Sequence, residues 1–168
     1  FPQLISKSDL VLSLSYWKLI DQKSINDVPM GIINFHHSYA LKYKGRHSAT
    51  WALRNNEKYH GSTMHYIDKN LDCGLIIDTD KFVIEKNDVA EVVFNKANQL
   101  GFDLLKKNFP RIIRQEKIKY QAANKPSYLY RKKDLDHQID SSLITDQDKF
   151  SREVRALTFK GYPSAYII

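Results

Sequence analysis

Two short polar clusters carry the side chains best suited to chemistry in this sequence. The first ends the apolar run at residues 31–34 and contains Asn34 and His36, and the second, at residues 66–74, contains Asp72. If the fold brings the clusters together, an amide, an imidazole and a carboxylate surround one small volume. An amide N–H can stabilise an oxyanion, and an imidazole can exchange a proton at neutral pH. The combination suits acyl transfer.

The residues around both clusters resemble the formyltransferases that use N10-formyltetrahydrofolate. That family's pattern is an N-x-H-P-S element, a loop ending in an aromatic residue and a glycine, a G-x-T-x-H strand and a D-x-G turn. The matching residues occur here in the same order: Asn34, His36, Ser38, Tyr43, Gly45, Gly61, Thr63, His65, Asp72 and Gly74. Asp72 follows His36 by 36 positions, which is the separation that the family motif requires.

Three positions depart from the family pattern. His37 and Leu41 occupy positions where the family usually has proline. Two constraints on the backbone φ angle are therefore missing, and we expect the loop at residues 38–45 to be more mobile than usual. Cys73 replaces the common threonine inside the D-x-G turn, which is a change of small volume.

The resemblance implies catalytic roles for three residues. A neutral amine attacks the formyl carbon of the donor, and the oxygen of the tetrahedral intermediate needs hydrogen-bond donors, which Asn34 and His36 would supply. Asp72 would orient His36 and keep it basic. Either His36 or, through water, Asp72 would take the proton that the amine loses.

The resemblance also implies two sets of binding residues. The first set would hold the folate in a loop after the first strand and beside the second polar cluster: Trp17, Lys18, Leu19, Ile20 and Asp68. The second set would contact the acceptor substrate: Ser38, Tyr43, Arg46, Lys125, Tyr128, Tyr130 and Arg131. No His or Cys spacing matches a zinc site, so we expect no metal. Four of the five remaining histidines, His37, His60, His65 and His137, are interpreted as ordinary surface or core residues.

Two segments near the end of the chain indicate the acceptor. PSYLYRKKDL and RALTFKGYPSAYI resemble enzymes that formylate the amine of a dTDP-, UDP- or GDP-linked dideoxy amino sugar. Three alternatives stay open: a glycinamide ribonucleotide formyltransferase, a formyltetrahydrofolate hydrolase and a non-catalytic binding module. Methionyl-tRNA enzymes of the family carry an RNA-binding domain after the catalytic one, and no such domain is expected within this sequence.

Composition narrows the class of protein. The chain has 168 residues, 42% of them hydrophobic and 27% charged, which is typical of a globular domain. No apolar run approaches the ~20 residues of a membrane span. The single cysteine, Cys73, precludes an internal disulfide, so we expect a cytoplasmic enzyme. The net charge of +7 favours anionic partners, but the basic residues alternate with acidic ones, so a nucleotide or a polyglutamylated folate is expected rather than a nucleic acid.

The resemblance implies an α/β, Rossmann-like formyltransferase fold with a mainly parallel sheet flanked by helices. Strand-like runs at residues 9–15, 30–34, 61–67 and 74–85 and helical patterns at 48–55, 88–109 and 146–157 fit this fold. Asp88, with Glu91 three positions later, is the predicted N-cap of the middle helix. The first strand lies so near residue 1 that the sequence resembles a formyltransferase truncated at its N-terminus.

This interpretation divides the chain into two regions. We expect residues 1–116 to form the back portion of the catalytic domain, and residues 117–168 to form a C-terminal extension that completes the acceptor side. Without front strands the sheet would expose an unpaired edge. We therefore expect that edge to associate with the missing segment or with a second copy of the chain, as in a homodimer.

Overall fold

Strands and helices alternate along residues 5, 7–16, 18–122 and 129–168, which are the residues that the computed structural model describes. The strands are β1 Val11–Leu14, β2 Ile32–His36, β3 Lys44–Gly45, β4 Tyr59–Tyr66, β5 Ile76–Val83, β6 Leu129–Tyr130, β7 Gln138–Ile139 and β8 Tyr166–Ile167. The α-helices are α1 Gln22–Asn26, α2 Ser48–Arg54, α3 Ala90–Ile113 and α4 Gln147–Leu157. Short 3-10 helices at Tyr39–Leu41, Lys132–Asp134 and Ser141–Thr145 fill some of the connections.

A mixed sheet with the order β1-β2-β4-β5 positions the site. β1 and β2 are parallel, whereas β4 runs antiparallel to both β2 and β5. The predicted α/β class is confirmed, although within the described residues the parallel part of this sheet is limited to β1 and β2. The short connection at residues 67–75 makes β4 and β5 antiparallel, because parallel neighbours need a long crossover. β1 is an edge strand in this order, and association through it stays a prediction.

Two element boundaries differ from those predicted from the sequence. β2 extends to His36, so the imidazole belongs to the strand instead of following it. The N-cap of α3 is Val89, so the prediction of Asp88 was wrong. The Asp88 carboxylate instead accepts hydrogen bonds from Glu85 N and Lys96 Nζ, at 2.8 and 2.6 Å. Asp88 therefore stabilises the turn before the helix.

The two long helices also differ in how well the sequence predicted their ends. α3 continues through Pro110 to Ile113, because its last turn places Ile112 in the core at 4% exposure. Proline removes one backbone donor here without ending the helix. α4 begins one residue later than predicted, after Asp146, whose carboxylate accepts from Lys149 N at 3.0 Å.

Two apolar clusters hold the sheet and helices together. The first lies between the sheet and α3 and consists of Ile33, Phe35, Met64, Ile77, Ile112 and Ile118. The second lies where α2, α3 and α4 meet and consists of Ala49, Leu53, Ala90, Val93 and Ala156. Arg54 Nε also pairs with Glu153 Oε2 at 2.8 Å, which joins α2 to α4. The division of the chain at residue 116 stays a prediction. No helix among the described residues has the length and apolarity to cross a membrane.

Candidate active site

The end of β2 carries two of the predicted catalytic residues on one face of the sheet. Asn34 and His36 are two positions apart, so their side chains project to the same side. The turn after β4 brings Asp72 to them, with its Oδ2 atom 3.6 Å from His36 Nδ1. All three residues line one cavity of about 820 Å³. The structure therefore brings the predicted amide, imidazole and carboxylate together.

The hydrogen bonds of His36 assign the proton on its ring. His36 Nε2 makes a short hydrogen bond with the backbone oxygen of Tyr43. A carbonyl oxygen only accepts, so Nε2 carries the proton. Nδ1 is then the nitrogen with the lone pair, and it faces Asp72. Nδ1 is therefore the ring atom that can act as an acceptor, and the Asp72 carboxylate lies beside it.

His65 is a site residue to which sequence reasoning gave no chemistry. β4 places it opposite Asn34 in the antiparallel register. Its Nδ1 donates to the Tyr66 carbonyl oxygen at 2.9 Å, so its Nε2 accepts from Asn34 Nδ2 at 3.2 Å. Burial, and then the nearby His36, lower the pKa of His65 to about 4, which keeps the ring neutral at neutral pH. The histidine of the G-x-T-x-H motif was the available signal.

Asp72 is held in an uncommon backbone conformation. Its φ of 50° lies in the left-handed region, which typically costs a non-glycine residue ~1–3 kcal/mol. Gly45 N donates to Asp72 Oδ2 at 2.8 Å and fixes the carboxylate. Two residues further on, a β-carbon at Gly74 would collide with the Tyr66 carbonyl oxygen. The turn therefore requires glycine at position 74 because the chain passes so close to β4.

Side-chain hydrogen bonds anchor the loop between His36 and Gly45. Ser38 Oγ accepts from Tyr43 N at 2.8 Å, and Thr63 Oγ1 donates to the Ser38 carbonyl oxygen at 2.5 Å. Leu41 has a φ of 56°, an angle that proline cannot adopt. The loop thus has a conformation that the family proline would not permit at position 41. The hydrogen bonds of Ser38 and Thr63 hold the loop in place instead.

Two predicted substrate contacts do not line the cavity. Ser38 is 0% exposed and Tyr43 is 4% exposed. The polar atoms of Ser38 hold its own loop, and the Tyr43 hydroxyl donates to Glu57 at 2.6 Å. The structure therefore corrects both predictions, because these side chains brace the site from behind and do not face it.

The predicted folate residues lie on the β1 side of the cavity. Lys18, Leu19, Ile20 and Asp68 all line it. Leu19 is 81% exposed, so its apolar surface is accessible to a ligand. The Asp68 carboxylate accepts from Asn70 N at 2.8 Å, which orders the loop after β4. The predicted contact Trp17 lies outside the described residues.

Cationic and aromatic side chains also line the cavity. β3 pairs with β6, and Arg46 N donates to the Tyr130 carbonyl oxygen at 2.8 Å. This pairing brings Arg46, Tyr130 and Arg131, three predicted acceptor contacts, to the cavity. The ring of Tyr130 stacks on Trp51 with a centroid distance of 4.4 Å. The predicted contacts Lys125 and Tyr128 lie outside the described residues.

A row of aromatic rings runs along the cavity from the residue after His36 to the residue after Arg46. We call it the aromatic wall, and its members are His37, Phe94, Phe159, Tyr162 and His47. Successive ring centroids are 4.7, 5.4, 5.2 and 5.7 Å apart, with edge-to-face geometry throughout. All five rings line the cavity. In the part of the chain that the structure describes, no group of three His, Cys, Asp or Glu side chains is placed to hold a metal ion.

Comparison with known proteins identifies the relatives of this chain. A family model described as formyl transferase matches residues 5–108. A methionyl-tRNA formyltransferase from Pediococcus pentosaceus is 26% identical over 166 residues, which are 96% of this chain and 49% of that protein. The chain spans between 24% and 49% of the length of the first curated relatives that it matches.

Solved structures show the same fold. A 4-N formyltransferase from Francisella tularensis superimposes with a TM-score of 0.88 at 23% identity, covering 99% of this chain and 68% of that one. An N-formyltransferase from Helicobacter canadensis, described in complex with folinic acid and dTDP-3-aminofucose, superimposes with a TM-score of 0.81 at 28% identity. That match covers 91% of this chain and 56% of the other.

Proposed function

Since this chain belongs to the formyltransferase family, we propose that it transfers a formyl group from N10-formyltetrahydrofolate to the amine of a nucleotide-linked dideoxy amino sugar. One observation carries the proposal. A single cavity is lined by Asn34, His36 and Asp72, by predicted folate residues, and by the aromatic wall and cationic groups. The formyl donor and the acceptor would meet at the catalytic residues.

Asn34 is the donor that fits the oxygen of the tetrahedral intermediate. One N–H of its side chain is directed to His65 Nε2, which leaves the second N–H for the developing oxyanion. His36 has no second donor while it is neutral, because its Nε2 proton is directed to Tyr43. A single preorganised donor of this kind typically lowers the barrier by ~3–4 kcal/mol.

His36 is the group that fits the proton transfer. The amine nitrogen attacks the formyl carbon as a neutral group and gains a positive charge, and Nδ1 of His36 accepts the proton that this nitrogen then loses. Asp72, 3.6 Å away, stabilises the imidazolium. Collapse of the intermediate breaks the bond to N10 of the folate, and His36 returns the proton to that nitrogen. The products are a formamide and tetrahydrofolate.

The aromatic wall supports a sugar as the acceptor. Apolar C–H faces of a dideoxy sugar pack well against ring edges and faces, and the wall runs from His37, beside His36, to His47, beside Arg46. The amine must arrive uncharged, so it offers little binding energy of its own. A diphosphate bound near Arg46 and Arg131 would therefore supply the positioning. The Helicobacter canadensis relative, described with dTDP-3-aminofucose, adds support for this class.

Methionyl-tRNA is a second candidate acceptor, because several curated relatives are methionyl-tRNA formyltransferases. The apolar methionyl side chain would also fit against the aromatic wall. The two candidates differ in the group attached beyond the reactive amine. In the sugar nucleotide this group is a diphosphate with a single nucleoside, whereas in the tRNA it is a long polyanion.

A release assay tests these possibilities together. The purified protein is given N10-formyltetrahydrofolate and, in separate reactions, a nucleotide-linked amino sugar, the free amino sugar, glycinamide ribonucleotide, methionyl-tRNA or no acceptor, and tetrahydrofolate release is followed. We expect rapid release with the nucleotide-linked sugar and an apparent KM at least ~10-fold higher for the free sugar. His36→Ala is the inactive control.

Other results would overturn the proposal in distinguishable ways. Preference for methionyl-tRNA or glycinamide ribonucleotide would change the acceptor and keep the chemistry. Fast release without acceptor would indicate a hydrolase. No release under any condition, with folate still bound, would indicate a binding module.

A further inference from the structure

Three consecutive residues at the start of β3 hold the pair formed by His36 and Asp72. The Tyr43 carbonyl oxygen accepts from His36 Nε2, and Gly45 N donates to Asp72 Oδ2 at 2.8 Å. Between these two backbone contacts, Lys44 directs its Nζ atom to the side chain of the residue after Asp72. The segment therefore reaches the Asp72 turn through a side chain as well as through its backbone.

The side chain of Lys44 is buried without an acidic partner. Lys44 is 3% exposed, and burying an ammonium group is costly unless hydrogen bonds compensate it. The described residues include every aspartate and glutamate of the chain, and none of these carboxylates lies within ion-pair distance of Lys44 Nζ. Nζ instead donates to Cys73 Sγ at 2.6 Å. Neither Lys44 nor Cys73 lines the cavity, so Lys44 acts on the site only through other residues.

The Cys73 thiol connects Lys44 to the backbone on the other side of Asp72. Its Sγ accepts from Lys44 Nζ and donates to the Leu71 carbonyl oxygen at 3.2 Å. Leu71 and Cys73 flank Asp72 in the sequence, so the thiol spans the turn that carries the carboxylate. Asp72 has a φ of 50°, and such a conformation persists only where the surrounding structure holds it. The hydrogen bonds from Lys44 through Cys73 to Leu71 are one such restraint.

We propose that Lys44 is a positioning residue, which acts through Cys73 to keep the Asp72 carboxylate beside Nδ1 of His36. This inference rests on the proposed function and adds a residue to its machinery. Without the ammonium group the turn loses one of its restraints, and Asp72 Oδ2 leaves Gly45 N more often. His36 then lacks its orienting carboxylate for part of the time, although every side chain that lines the cavity is unchanged.

Hydrogen exchange measures the restraint without requiring turnover. The Gly45 N–H donates to Asp72, so its exchange rate reports how often the carboxylate leaves. Lys44→Met keeps a side chain of similar length without the ammonium group, and we expect the Gly45 amide to exchange about tenfold faster in it. Cys73→Ala should have the same effect. Cys73→Ser should recover most of the difference, because a hydroxyl also donates and accepts. Unchanged exchange in β2 and β4 verifies that each variant is folded.

Tetrahydrofolate release tests whether the restraint matters for the reaction. Lys44→Met and Cys73→Ala should each lower kcat about tenfold and leave the KM for the folate donor within about twofold, because Asp72 acts mainly on the transition state. The double variant should lose no more than the worse single variant, since both changes break the same series of hydrogen bonds. Lys42→Met is the matched control. Lys42 belongs to the same loop, but its Nζ pairs with Glu57 at 2.6 Å, so both measurements should be unchanged.

The outcomes separate this inference from the proposed function. If Lys44→Met changes neither the Gly45 exchange rate nor kcat, the positioning role is wrong and the proposed function stands. The role is also wrong if only one of the two measurements changes. If the unaltered protein releases no tetrahydrofolate with any acceptor, the proposed function fails, and the Gly45 exchange rate alone decides whether Lys44 restrains Asp72.

Discussion

Removing the His65 imidazole tests whether the orientation of Asn34 limits the reaction. The Asn34 amide nitrogen donates to His65 Nε2 at 3.2 Å, and His65 is itself fixed by its bond to the Tyr66 carbonyl oxygen. In His65→Leu the Asn34 side chain keeps its place in the strand, but its amide is free to rotate. The oxyanion then meets a donor that is correctly oriented for only part of the time.

The size of the effect can be estimated from this geometry. Loss of an oxyanion donor typically lowers kcat by ~10²–10³. His65→Leu keeps the donor and removes only its orientation, so kcat should fall by ~10–100-fold, or ~1.4–2.7 kcal/mol of barrier. The KM for the folate donor should change little, because Asn34 acts mainly on the transition state. His65→Gln can place an acceptor oxygen near the former Nε2 position, so it should recover part of kcat.

His60→Leu is the matched control for the same assay. His60 lies on the same strand and is also 2% exposed, but it packs against Phe82 and does not line the cavity. Steady-state tetrahydrofolate release and thermal unfolding are measured for all three variants. The reasoning fails if His65→Leu keeps its kcat, or if His60→Leu loses as much at equal stability.

Three further predictions concern the scaffold. Gly74→Ala should abolish activity and lower the melting temperature, because its β-carbon would collide with the backbone of β4. Gly161 has open space around it, so Gly161→Ala should cost only ~1–2 kcal/mol of backbone strain, as measured by thermal unfolding. Leu41→Pro should destabilise the loop and lower kcat, and Leu41→Met should not, because φ at this position is 56°. The buried histidines His37, His60 and His65 have pKa values lowered to about 4, 3 and 4. Below pH ~6.5 the unfolded chain binds more protons than the folded chain. Each of these rings should therefore lower the free energy of unfolding by up to ~1.4 kcal/mol per pH unit, until the pH reaches its folded pKa. Urea titrations at pH ~7.5 and ~5.5 should show the lower stability at pH ~5.5.

The linear motifs predicted that Asn34, His36 and Asp72 would lie together because they fix residue types at the ends of known elements. Asn34 and His36 share a face by strand alternation, and a turn long enough to return Asp72 to them comes after β4. The role of His65 depends on the register of β2 against β4, and β4 contains an irregularity between Met64 and His65 in its pairing with β5. Sequence periodicity does not reveal a register of this kind. The contact from Asn34 to His65 was therefore beyond prediction from the sequence.

The roles of Ser38 and Tyr43 depend on a loop conformation that the sequence did not predict. Ser38 and Tyr43 stand beside the catalytic motif, and their polar groups suit either a substrate or the loop itself. The left-handed residues Ala40 and Leu41 turn the chain so that both side chains point inward. A backbone angle of this kind is not encoded by any glycine at those positions, so nothing in the sequence indicated the turn. Asp88 was misjudged for a similar reason, since Lys96, two helical turns further along the chain, competes for its carboxylate.

Two stretches of the sequence line the cavity, and the difference between them bears on the choice of acceptor. The family model matches residues 5–108, and that region contains Asn34, His36 and Asp72 together with the proposed folate side. Much of the proposed acceptor site is formed by residues after 108: Tyr130, Arg131, Lys132, His137, Phe159 and Tyr162. Of this lining, Phe159 packs against the apolar cluster formed where α2, α3 and α4 meet. Under the proposed function, chemistry and acceptor recognition rest on different stretches of sequence within one cavity. A family assignment made on residues 5–108 leaves the acceptor open, and the proposed acceptor is inferred from the charges and rings of the C-terminal stretch.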